Sequence, residues 1–130
     1  MYSIHIDRTR LLVDMRLSGF FTKEIAAEAT TALRTAVRSL GADTGRHVTL
    51  YDATELKVSP AETVEYIKAS YAEPSIRPLW ARRVAYCAPS ALARMQMTRL
   101  RGGRPDIAVF TTRADALDWL LSADPDTQAA

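Results

Sequence analysis

The stretch YDATELKVSPAE, Tyr51–Glu62, sets three reactive side chains close together: the Asp52 carboxylate and the hydroxyls of Thr54 and Ser59. A carboxylate can serve as a general base, but it needs a partner in reach. His47 lies five residues earlier on the same strand, and an odd separation puts the two on opposite faces. His5 and Asp7 share a face, on an edge strand with no evident pocket. Asp52 also suits a structural role, bonding the backbone where a strand gives way to a loop. A hydroxyl before a helix can accept a phosphoryl group. At Ser59 such a phosphate gains from the helix dipole and crowds Glu62. Ser59-Pro60-Ala61-Glu62 also reads as a capping box with proline at the first helical position, in which the Ser59 hydroxyl contributes about 1 kcal/mol as a cap. Asp52, Thr54 and Ser59 are therefore a candidate regulatory loop, with helix capping as the competing reading for Ser59.

Other reactive groups are sparse. Cys87 is the single cysteine, set among Val84, Ala85, Tyr86 and Ala88, where it behaves as a small hydrophobe. One cysteine excludes an internal disulfide, and with two histidines it cannot assemble a usual zinc site. RGGR, Arg101–Arg104, has glycines but no lysine-serine ending, so it is no phosphate loop. No catalytic set, cofactor or metal is expected. The chain carries a net charge of +2, yet residues 77–113 hold eight arginines and one acid. Within them Arg94, Arg101 and Arg104 bracket a helix end and a glycine turn. They offset the helix dipole or form a candidate anion site. With no aromatic interleaving beyond Tyr86, nucleic acid is not the expected partner. Met95 and Met97 are about 200° apart on a helix, so both cannot face the core. With Trp80 they are candidate interface residues.

The elements that must position these groups follow from periodicity. YSIHID, Tyr2–Asp7, and RLLVDMRLS, Arg10–Ser18, alternate apolar and polar residues, which predicts two strands with one wet face. The short Arg8-Thr9 link predicts an antiparallel hairpin. Thr22 caps a helix over Lys23–Leu40, stopped by Gly41. His47–Ala53 is a strand, residues 60–73 a helix ended by Pro74 and Pro78, and Arg83–Ala88 a strand. A helix from Ser90 to Leu100, a strand over Asp106–Thr111 and a helix capped by Thr112 complete the order ββαβαβαβα. This predicts an α/β domain over residues 1–122: a mixed sheet with an N-terminal hairpin, parallel later strands and helices mainly on one face. Residues 123–130 read as a polar tail. No apolar run approaches the ~20 residues of a membrane span, and no signal pattern opens the chain, so a cytoplasmic location is expected.

Across almost its whole length the sequence resembles a STAS domain of the SpoIIAA-like branch, the fold of anti-sigma-factor antagonists. The resemblance is carried by GFFT at Gly19–Thr22, Asp52 at a strand end, RVAYCAP at Arg83–Pro89 and VFTTRADALDWL at Val109–Leu120. In the last, Phe110, Ala116, Trp119 and Leu120 have the family's spacing. The resemblance implies a non-enzymatic domain acting by protein contact or by binding a small ligand. Phosphoswitched members carry an Asp-Ser-Ser-Gly-like stretch before the second helix. Here that region reads LKVSPAE, with Ser59 alone near the position. The function expected is a regulatory or interaction module whose partner is another protein or a second copy. The alternative is a binder of a small apolar or anionic ligand, with a pocket of ~300 Å³ or more near Arg94–Arg104.

Overall fold

A computed structural model describes residues 1–57 and 60–122. Ser59 and the tail at 123–130 lie outside the described residues. Strands β1 (Tyr2–Asp7) and β2 (Leu12–Gly19) pair antiparallel, followed by helix α1 (Lys23–Arg38). Then come β3 (Val48–Leu56), α2 (Ala61–Ala72), β4 (Arg83–Cys87), α3 (Ala91–Arg101), β5 (Ile107–Phe110) and α4 (Arg113–Leu121). The sheet order is β1-β2-β3-β4-β5, and β2 to β5 run parallel. The expected mixed α/β fold with a starting hairpin is the one observed. Among the described residues, no helix is long and apolar enough to cross a membrane.

The topology explains where the helices go. Each parallel strand is added on the same side of the last, and right-handed crossovers then put α1, α2 and α3 on one face. Met15, Tyr51, Ala53, Val84 and Tyr86 point to that face and meet Phe21, Ala29, Ala93 and Met97. Helix α4 follows the final strand and folds back beneath the other face. There Ala116 and Leu120 pack on Leu12, Val48, Leu50, Ala85 and Cys87.

Local chemistry fixes the joints. The Thr22, Ser90 and Thr112 hydroxyls accept from the N–H groups of Ile25, Ala93 and Asp115, capping α1, α3 and α4. Gly102, at φ 57°, ends α3 in a conformation that costs a glycine little. Three expectations are corrected. The hairpin link is not two residues but four, Arg8–Leu11: Asp7 accepts from the N–H groups of Thr9 and Arg10, and Leu11 takes the positive φ of 52° that a glycine usually supplies. Pro74–Leu79 do more than end α2; they form a 3-10 helix whose Ile76 is buried. The polar face of β2 is wet only in part. Arg16 is exposed, but Asp14 is buried because α4 reaches it.

Candidate functional site

Open sheets of this kind present ligands and partners at the carboxyl ends of their parallel strands. Here β4 and β5 end level with Asp52, while β2 and β3 run on to Gly19 and Leu56, beyond Ala53, where the sequence pattern ends the third strand. Asp52 is buried. Its Oδ1 accepts from the Thr54 backbone N–H at 3.1 Å and from the Thr54 hydroxyl at 2.6 Å. Its Oδ2 accepts from Arg113 Nη1 at 3.1 Å. The same guanidinium donates to both oxygens of Asp14, through Nη1 at 3.0 Å and through Nη2. One arginine thus joins β2, β3 and α4. Burial works to raise the Asp52 pKa, but the Thr54 bonds and Arg113 outweigh it and hold the carboxyl below its ordinary value. The bonds to Asp14 lead in pushing the Arg113 pKa up. Asp52 is therefore a fixed anion, poorly suited to take protons near neutral pH. Burial first, and the Asp52 charge second, push the neighbouring Cys87 thiol up to about 11, so it is no ready nucleophile.

Arg113 is absent from the residues the sequence pointed to. Its partners are 99 and 61 positions away. The available signal was its place in the first turn of a helix, where a cation runs against the macrodipole and needs an anion nearby.

Large apolar side chains are left in water on segments that adjoin this end, at Met1, Phe20, Leu92 and Met95, and also at Leu121 at the end of α4. Met1 is tied by its amino group to the Ser18 carbonyl, at 2.8 Å. Phe20 follows β2 directly and is 60% exposed. Leu92, in the first turn of α3, is 53% exposed, and Met95 is 59% exposed. Their spacing of three puts Leu92 and Met95 side by side on that helix. Lys57 approaches the Phe20 ring at 5.4 Å. Met97 is on the opposite side of α3, buried among the helices.

The three arginines singled out in the sequence are not brought together. Arg94 donates to the carbonyls of Ala88 and Pro89 at 2.9 and 2.7 Å, and Arg101 to that of Ile107 at 2.7 Å. Arg104 binds Asp106 at 2.6 Å and lies 3.5 Å over the Trp80 ring. Each braces a strand end or a turn.

Between the sheet and α1–α3 lies an apolar cavity of about 140 Å³, with Arg104, Trp80 and Met97 in its wall. This is under half the expected ~300 Å³ of a ligand pocket. Three tyrosines border it. Tyr71 and Tyr51 share a hydroxyl hydrogen bond of 2.5 Å, and the Tyr86 hydroxyl donates to Tyr71 at 3.3 Å. Burial pushes Tyr51 up to about 12 and Tyr71 well above its ordinary value, so these phenols are neutral. Among the described residues, no group of three His, Cys, Asp or Glu side chains could hold a metal ion.

Comparison with solved structures identifies the fold as SpoIIAA-like, the fold of STAS domains. An uncharacterized protein of the DUF3478 family from Shewanella loihica PV-4 superposes with a TM-score of 0.67 at 24% identity, over 92% of this chain and 93% of that one. The anti-sigma factor antagonist SpoIIAA in its unphosphorylated form gives 0.61 at 19% identity, over 92% and 95%. An anti-sigma factor antagonist from Mycobacterium paratuberculosis gives 0.55 at 16% identity, over 94% and 96%. No protein-family model and no curated protein sequence matches the chain.

Proposed function

We propose that this chain is a non-enzymatic regulatory domain that binds another protein through the carboxyl end of its parallel strands. The observation that carries the reading is that Met1, Phe20, Leu92 and Met95 are exposed on segments that adjoin the carboxyl ends of β2 and β4, while most other large apolar residues are covered. Large apolar side chains left exposed near one end of a sheet are the kind of surface a protein partner covers. The anion fixed by Thr54 and Arg113 adds a rigid polar centre in the hollow that Met1 also lines. Asp52 and Thr54 of the candidate regulatory loop lie within β3, and the exposed Thr54 is read as part of the contact surface. Two structural neighbours are anti-sigma factor antagonists, which is consistent with a module that acts by contact.

A photo-crosslinking side chain placed at Met95, and separately at Leu121 beyond the far end of the sheet, tests this in the source cells. Met95 should give a discrete adduct with a second protein, lost when Phe20 and Leu92 are both changed to Ser, and Leu121 should give none. An adduct that survives the double change would defeat the assignment of the surface. A doubling of the chain's own mass would assign it to self-association instead.

A further inference from the structure

The cavity beneath α1–α3 carries an observation that protein contact does not use. Three side chains in its wall hold a buried N–H donor with no hydrogen-bond partner among the described residues: Arg34 Nε, His47 Nε2 and Trp80 Nε1. Buried polar groups are otherwise almost always bonded. His47 has 0% exposure, and its Nδ1 accepts from the Gly45 N–H at 3.1 Å. That bond places the proton of the neutral ring on Nε2, so this atom is a donor. Trp80 and the Arg34 Nε can only donate. The set contains three donors and no acceptor, in a cavity lined mainly by apolar side chains such as Met15, Leu33, Val37, Ile67, Val84 and Leu100, with the Thr49 and tyrosine hydroxyls also in its wall.

We infer that this cavity binds a small apolar carboxylic acid as its carboxylate, with the N–H groups of Arg34, His47 and Trp80 as the recognition elements. A carboxylate offers about four lone-pair directions to the three donors, where a single water offers two. Arg34 supplies the compensating charge. Its own counter-ion, Glu73, stands 3.9 Å away and is half exposed, so it leaves room for a better placed anion. The other arginine of the wall, Arg104, is already paired with Asp106. The donors are held in place beforehand. His47 is fixed by Gly45, and Trp80 is packed between Arg77 at 4.5 Å and Arg104 at 3.5 Å. A volume of about 140 Å³ limits the guest to a single ring or a short branched chain, since a cavity of ~150 Å³ takes a benzene. Benzoate and isovalerate are of this class.

Two tryptophans make the test direct, because Trp119 is on α4, packed against the opposite face of the sheet, and serves as an internal control. The full chain, labelled with nitrogen-15, is titrated with benzoate, isovalerate and toluene, and the two indole N–H signals are followed, assigned with Trp119→Phe. Benzoate or isovalerate should shift the Trp80 signal saturably and leave Trp119 in place, and toluene should bind at least about tenfold more weakly, the loss of one charged hydrogen-bond set. His47→Phe should weaken benzoate about tenfold and leave toluene within about twofold. The inference is overturned if the Trp80 signal is unmoved by either acid up to about 20 mM, well above the millimolar affinities a weak guest shows. It is overturned equally if both indoles respond alike, or if toluene binds as tightly as benzoate. The first two readings come from the unaltered cavity and do not depend on whether the histidine variant folds.

Discussion

The two faces of the sheet treat their polar groups in opposite ways. On the α4 face the charges are matched: Arg113 answers Asp14 and Asp52 at the start of the helix. At its end Arg83 donates to the Trp119 carbonyl at 2.7 Å and the Ser122 hydroxyl at 2.8 Å, where a cation complements the dipole. The apolar residues between them, Leu12, Leu50, Cys87, Ala116 and Leu120, are almost wholly buried, and the hollow of about 430 Å³ on this side is lined largely by polar side chains, among them Arg16, Asp52, Thr54, Glu55 and Arg113. On the three-helix face a cavity stays open, and three donors in its wall lack partners among the described residues. One side is built to hold the fold, and the other retains room and unspent hydrogen bonds.

The sharpest way to break this contrast is Arg113→Met. Two buried carboxylates would face each other without a cation, and the loss should be about 3 kcal/mol or more in urea unfolding. Adding Asp14→Asn and Asp52→Asn should return most of it, because the uncompensated charge, not the missing arginine, is what costs. A smaller effect compares equal additions of volume. Ala116→Leu pushes into the filled α4 face and should cost about 1–3 kcal/mol, whereas Ala29→Leu extends into the cavity and should cost less than about 1 kcal/mol or stabilise. Equal losses for the two would mean the cavity is not usable space.

Acid should separate the faces as well. Burial lowers the His47 pKa, so the folded state favours the neutral ring. Its contribution is present above about pH 6.5, the unfolded value, and is lost as pH falls through the folded value. The Asp52 pKa is also lowered in the folded state, so its contribution is present above about pH 4 and lost below it. Urea midpoints against pH should therefore fall in two stages, the first belonging to the three-helix face. His47→Gln should flatten that first stage, whose slope is at most about 1.4 kcal/mol per pH unit for one proton.

The strands and helices were legible because each rests on a short-range pattern. Tyr2, Ile4 and Ile6 alternate, and Thr22, Ser90 and Thr112 stand where caps must. The hairpin link was misjudged because Leu11 adopts a backbone angle that its side chain does not announce. The site was less legible for a different reason. Asp14 reads as solvent-facing from alternation within β2, and only the return of α4 buries it. The pairing of His47 with Gly45 was within reach of the sequence, but empty space beside His47 and Trp80 is not. A cavity is a property of how three helices fail to meet, and no local pattern records it.

The strand order β1-β2-β3-β4-β5 has a consequence for synthesis. Because spatial order equals chain order, each strand emerging from the ribosome finds its neighbour already made. The growing sheet always offers one edge, which the next strand covers. Helix α4 breaks this routine: it leaves the ribosome after β5 yet must reach back to β2 and β3. Until then Asp14 and Asp52 wait side by side without their cation, on a face still open to water. Arg113 can pair with both only after α4 has returned to β2 and β3, so the ion pair is tied to completion of the sheet.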